Sequence, residues 1–226
     1  MRKIDLNVDV AEGFPFDSDL AWWATSANVA CGGHAGSWDL SRQVIEVFKE
    51  RDVRIGVHPG YPDRETMGRA TPGPDDESAW LTDVQAQVDE FVRRFPETAS
   101  YVKPHGAFYN DSMVAGSAAW KALVAIVERH RLPLLGLPGT AHETAAGFGF
   151  IREGFADRGY TPDGRLIPRG QPGAVLEDDS TIQAQVLRLA REVESICVHG
   201  DTPRSLSVAS KVYETLYFAG YEVAAE

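Results

Sequence analysis

"VKPHGAFYN", residues 102–110, sets a lysine, a histidine, a tyrosine and an asparagine around one proline and one glycine. It begins where a strand-like run through Tyr101 and Val102 ends. The arrangement recurs in "VHPGYPD" (57–63) and "CVHGDTP" (197–203): a short apolar run, then a turn dense in hydrogen-bonding side chains. Working outward from these three, runs suited to strands lie at 3–8, 27–31, 53–57, 99–103, 132–137, 148–152 and 195–199. Between them, apolar residues repeat at spacings of three and four, which places each set on one helical face. The sets are Leu40, Val44, Val47 and Phe48; Leu81, Val84, Val88 and Phe91; Trp120, Leu123, Val124 and Val127; and Ile182, Val186, Leu189 and Val193.

End signals accompany the helices. Ser37 reads as the cap of a helix starting near Trp38, and Thr202 as the cap of the last one, with Pro203 in its first turn and Gly220 closing it. Segment 155–178 is rich in glycine and proline and reads as a long ordered loop. Strand–helix alternation implies an α/β fold with parallel strands and right-handed crossovers. About seven such units either close into a barrel or lie open as a doubly wound sheet, and periodicity does not choose. No break in composition divides the chain, so residues 1–226 are expected to form one domain.

The polar residues collect at the C-terminal ends of these strands. The first supplies Asn7, Asp9 and Glu12; the second Asn28 and then "CGGHAGS" with His34; the third His58, Tyr61 and Asp63. The fourth supplies Lys103, His105, Tyr109 and Asn110, the loop after the sixth Asp157 and Arg158, and the last His199 and Asp201. In α/β folds these ends converge on one rim or crevice, where sites form. Four of the six histidines belong to this set. Each position also has a structural explanation: a strand-end histidine often satisfies a neighbouring backbone group, and the glycines of "CGGHAG" serve a tight turn as readily as an anion. His130, near a helix C-terminus, needs no role beyond the helix dipole.

Composition excludes several classes. The net charge of −11, with no basic run, disfavours nucleic acid and anionic membranes as partners. Asp5 and Asp9 interrupt any signal-peptide core, and no segment approaches the roughly 18 apolar residues of a membrane span. A cytoplasmic protein is expected, with Cys31 and Cys197 as two buried thiols. There is no GxxxxGK[ST] loop, no GxGxxG after a strand, no paired CxxC or HExxH, and no GxSxG elbow. The chain therefore has no recognisable nucleotide site of its own. Self-association stays open.

Seven ordered motifs, "DLNVDVAEGF", "SANVACGGHAG", "IGVHPGYPD", "MGR", "VKPHGAFYN", "FADRGYTPDGRLIPR" and "CVHGDTP", resemble those of the LamB/YcsF family, the A subunits of 5-oxoprolinase. The resemblance runs from Ile4 to about Val223. It implies an irregular (β/α) barrel of about seven parallel strands, similar to the polysaccharide-deacetylase superfamily. It also implies ATP-dependent opening of 5-oxoproline (pyroglutamate) to L-glutamate, with two partner subunits that activate the lactam with ATP. The chain departs from the pattern at Ala11 (usually glycine), Ser37 (usually aspartate), Ala70 (usually arginine) and Phe108 (usually leucine).

Opening an activated lactam requires a base for water, an acid for the leaving group, and donors for developing negative charge. On this resemblance, Asp9 or Glu12 is the expected base, and His58 and His105 the proton shuttles. Lys103, Arg69 and Arg158 are expected to hold a carboxylate or phosphate, with Asn7, Asn28, His34, Tyr109, Asn110, His199 and Asp201 as further substrate contacts. Two alternatives stand beside this. One is a metal-dependent amide hydrolase or deacetylase with Asp9, His58 and His105 on a divalent ion. The other is a non-catalytic subunit that only presents substrate to its partners.

Overall fold

The computed structural model describes residues 1–225. Seven strands run in chain order: β1 (Lys3–Val10), β2 (Ser26–Ala30), β3 (Arg54–His58), β4 (Tyr101–Val102), β5 (Leu134–Gly136), β6 (Phe150–Phe155) and β7 (Ser195–Val198). Each pairs in parallel with the next, and β1 pairs with both β2 and β7, so the sheet closes into a barrel. An eighth short strand, β8 (Glu222–Val223), pairs with the first residues of β1, outside the closed ring. The barrel is irregular because β4 and β5 are only two and three residues long.

Helices α1 (Trp38–Lys49), α2 (Glu77–Arg94), α3 (Gly106–Ser112), α4 (Ala118–His130), α5 (His142–Ala145), α6 (Asp179–Leu189) and α7 (Ser205–Phe218) fill the connections. Their apolar faces, such as Val44 and Phe48 of α1 and Val84, Val88 and Phe91 of α2, join one core with Ile4, Leu6, Val8 and Val10 of β1. Those four β1 residues alternate with Asp5, Asn7 and Asp9, which therefore point the other way, into the barrel. The interior is accordingly polar rather than aliphatic.

It is built as a hydrogen-bonded column. At its base Asp5 accepts from Thr25 and Ser26 at 2.7 Å each, from Ser195, and from Arg54 at 3.1 Å. Above it Asn7 bonds Ser195 at 2.8 Å and accepts from Asn28 at 2.7 Å, while Tyr101 donates to Asn28 at 2.6 Å. Burying so many polar groups is tolerable only because each is paired.

Ser37 caps α1, accepting from the Leu40 amide at 3.2 Å, as expected. Thr202 does not cap α7: the helix begins at Ser205, and Thr202 contributes only its carbonyl, to the Ser205 amide, in the preceding turn. Gly220 follows α7 at φ +83, a conformation suited to closing a helix. The expected loop at 155–178 folds as a ribbon, with antiparallel bridges Arg158–Val175 and Tyr160–Leu166. Both cysteines are buried free thiols. Among the described residues, no helix is long and apolar enough to cross a membrane.

Candidate active site

The C-terminal strand ends meet over a cavity of about 440 Å³ lined by Asp9, His58, Arg69, Lys103, His105 and His199, among others. The tight turn after β4 brings Lys103 and His105 into it. That turn admits no side chain at Gly106, where φ is +55 and a Cβ would stand 2.4 Å from the Gly68 carbonyl oxygen.

At the floor, Asp9 Oδ1 accepts from Asn28 at 2.8 Å and from Lys103 Nζ at 2.9 Å. Lys103 also touches Cys197 Sγ at 3.0 Å and lies 2.8 Å from Glu153 Oε1, a charge contact with no aligned hydrogen bond. Glu153 in turn accepts from the Tyr109 hydroxyl at 3.1 Å. Burial opposes the charge on Asp9, but Lys103, His58 and His199 outweigh it and hold this carboxyl well below its ordinary range. Burial likewise opposes the Lys103 charge, and Asp9, Cys197 and Glu153 override it, keeping the ammonium protonated. Burial raises Glu153.

Beside Asp9 lies a cluster of three imidazoles and one carboxylate. Glu12 Oε1 is 3.3 Å from His34 Nε2, 3.4 Å from His105 Nδ1 and 4.0 Å from His58 Nε2. His58 Nδ1 donates to the Lys103 carbonyl at 2.8 Å and His105 Nε2 to the Met67 carbonyl at 2.9 Å, which fixes both tautomers. The remaining nitrogens, His58 Nε2 and His105 Nδ1, are 3.0 Å apart. His34 stacks on His105 with ring centroids 3.8 Å apart and planes within 4°. Burial pushes His34 down to about 3 and His58 to about 4, and holds His105 well below its usual range with help from the neighbouring imidazoles. Burial and the Asp9 charge push Glu12 up to about 7.

On the other side of Asp9, His199 Nδ1 donates to Asp157 at 2.8 and 3.1 Å, and the His199 backbone amide donates to the same carboxylate. This leaves His199 Nε2 as the ring's remaining ligand atom, which groups with Asp9 and Cys197 within 4.8 Å. Burial alone would raise Asp157; His199 holds it low.

Several expected residues take other places. Asn7 and Asn28 lie beneath the cavity, as part of the column supporting Asp9 and Lys103. Arg158 lines the cavity, but its Nε and Nη2 donate to the Ala174 and Ile167 carbonyls and hold the ribbon in shape. Asp201 meets Arg69 at the rim, and Asn110 lines the wall. His142 bonds Ser112 and the Leu137 amide, away from the cavity, and His130 pairs with Asp89 at 2.8 Å. Glu153 is absent from the expected set because it lies inside a strand rather than at its end; no strand-end rule finds it.

A model of the LamB/YcsF family matches residues 4–226. The chain belongs to that family. The A subunit of 5-oxoprolinase from Nocardia farcinica (strain IFM 10152) is 42% identical over 98% of both chains. Its counterpart from Neisseria meningitidis serogroup C (strain 053442) is 38% identical over the full length of both. The lactam utilization protein from Thermus thermophilus superposes with a TM-score of 0.84 at 30% identity, covering 99% of this chain and 100% of its own. The LamB/YcsF barrel also shares its fold with a family 4 carbohydrate esterase from Streptomyces lividans, at a TM-score of 0.52 and 11% identity over 98% and 91% of the two chains.

Proposed function

We propose that this chain is the hydrolytic A subunit of an ATP-dependent 5-oxoprolinase, opening 5-oxoproline to L-glutamate with two further subunits that activate the lactam with ATP. The names of its relatives support the substrate, and one observation carries the chemistry. Two separate proton-handling groups, Glu12 with its imidazoles and His199 with Asp157, flank the Asp9–Lys103 pair at one cavity.

Lactam opening needs that arrangement. Water's oxygen bonds to the lactam carbonyl carbon while Glu12 takes its proton, a role suited to a carboxyl raised to about 7. Negative charge developing on the carbonyl oxygen falls beside Lys103, whose ammonium is already fixed by Asp9 and Glu153 and needs no reorganisation. The ring C–N bond then breaks, and His199 in its protonated form, balanced by Asp157, gives the departing nitrogen its proton. A presenting subunit without chemistry would need none of these groups.

The test is reconstitution. The chain is combined with its two partner subunits, and ATP-dependent glutamate formation from 5-oxoproline is measured with each subunit omitted in turn. Undiminished turnover without this chain, or with Glu12→Gln, refutes the reading.

The contact between His58 and His105 favours a second reading, a divalent-metal centre. A ligated ion lies close to the plane of each imidazole, so the stacked His34 and His105 cannot both hold it. His58 and His105 are perpendicular, at 89°, and their free nitrogens converge with Glu12 Oε1. The fitting set is therefore Glu12, His58 and His105, with Glu12 in the place expected for Asp9, whose Oδ1 is engaged by Lys103 and Asn28. A divalent ion there would polarise a carbonyl and acidify a bound water. Metal content of the purified protein and loss of turnover on chelation test it.

A further inference from the structure

The chain carries a net charge of −11, yet the mouth of its cavity is cationic. Arg69, from the loop after β3, and Arg158, Arg165 and Arg169, from the ribbon after β6, all line it. Arg69 pairs with Asp201, and Arg169 Nη1 lies 3.9 Å from the same carboxylate oxygen. Asp157, the other carboxylate nearby, has both oxygens on His199. Asp201 is thus the carboxylate directly shared by Arg69 and Arg169, while Arg158 adds a third charge whose Nε and Nη2 are engaged by backbone carbonyls. Burial, followed by the charges of Arg169 and then Arg69, lowers Arg158 below its usual range, as expected of guanidiniums crowded together.

Such crowding without an anion is electrostatically unfavourable. With one it becomes a recognition device, because guanidinium forks match the oxygens of a phosphoryl group. The two loops bring Arg69 and Arg169 together on Asp201, at the mouth rather than at the floor where Lys103 and Asp9 sit. A ligand spanning both places a reacting carbon below and an anion above.

We propose that Arg69 and Arg169, held on Asp201, clamp a phosphoryl dianion carried by the substrate, so that the chain takes a phosphorylated lactam in preference to the free ring. This rests on the function proposed above and names the form in which the substrate arrives. The ribbon supplying Arg169 is then a specificity element, kept in shape by Arg158.

The experiment uses the purified chain alone, with inorganic phosphate as the probe in titration calorimetry. Saturable one-to-one binding is expected, weakened roughly ten- to a hundred-fold in Arg169→Gln, the loss of a charge-assisted pair. Arg69→Gln should behave alike, and Arg169→Lys should recover part of the loss. Arg169 is a partly exposed ribbon residue, so its variants fold even where Arg69→Gln does not, and near-UV circular dichroism checks this. Equimolar 5-oxoproline should leave phosphate bound. Absence of saturable binding, equal affinity in Arg169→Gln, or displacement by equimolar 5-oxoproline overturns the clamp. Because no partner or turnover is involved, these results are independent of whether glutamate forms in the reconstituted complex.

Discussion

His58 Nε2 and His105 Nδ1 face each other at 3.0 Å, and each ring's other nitrogen is committed to a backbone carbonyl. Two neutral imidazoles so placed direct lone pairs at one another. A positive centre between them, a proton shared with Glu12 or an ion, relieves that repulsion, so the two rings act as one unit.

Removing one ring should therefore remove the unit. His105→Ala is expected to lower turnover in the reconstituted complex by about 10²–10⁴-fold. It also strands the Met67 carbonyl, which costs roughly 1–3 kcal/mol, so the variant stays folded but melts earlier. Wild-type turnover from a folded His105→Ala protein would exclude both proton transfer and metal binding at this position.

The pH dependence of kcat/KM should report Glu12. As the base it must be ionised, so activity is expected to rise with pH through about 7. In Glu12→Gln the residual rate should lose that limb. A limb that survives the substitution unchanged assigns the titration elsewhere.

Stability should respond to acid in two stages. His34 and His58 have folded values of about 3 and 4, below their unfolded value, so the stability they confer is present above about pH 6.5 and lost as pH falls. Glu12 and Asp17, both pushed up to about 7, act oppositely, adding stability as pH falls from 7 toward 4. The two effects offset each other down to about pH 4. Below that, His34 takes up its proton and Asp9 is forced to give up its charge, and stability should fall by about 1–2 kcal/mol per pH unit. Denaturant titrations from pH 7 to 3 measure the curve, and a steady decline beginning at pH 6.5 contradicts it.

Lys103 is structural as well as chemical. Lys103→Ala leaves Asp9 and Glu153 buried without their shared cation and should destabilise the fold by about 3–5 kcal/mol. A variant with an unchanged melting midpoint and only weaker substrate use would show that Lys103 merely holds an anion.

Ala11 departs from the usual glycine, and its φ of +61 shows why glycine is usual there. A side chain in this region costs about 1–2 kcal/mol, part of which the extra freedom of an unfolded glycine offsets. Ala11→Gly is expected to raise stability by about 0.5–1 kcal/mol in chemical denaturation, and a loss of stability contradicts the strain.

The strand-end rule finds the rim because polar residues after Val57, Val102 and Val198 have no helix or strand partner to satisfy. It places His58, Lys103, His105 and His199 at one cavity. It does not distinguish Asn7 and Asn28, which face the same interior one layer below. The polar interior itself is written in "KIDLNVDV", whose strict alternation puts Asp5, Asn7 and Asp9 on one face. Reading that run only as an apolar strand hides it. Which carboxylate meets the imidazoles is not legible either, because the path of the chain between Asp9 and Glu12 depends on the left-handed turn at Ala11.

The closing seam has a consequence for biosynthesis. β1, the first strand to leave the ribosome, is sealed on one side by β7, and Asn7 waits for Ser195, 188 residues later. At roughly 5–20 residues per second that is about 10–40 s during which Asp5, Asn7 and Asp9 have no wall opposite them. Their polarity becomes useful then. An aliphatic barrel lining would present a sticky, half-closed trough to every other nascent chain, whereas this one stays wetted until the seventh strand arrives and expels the water.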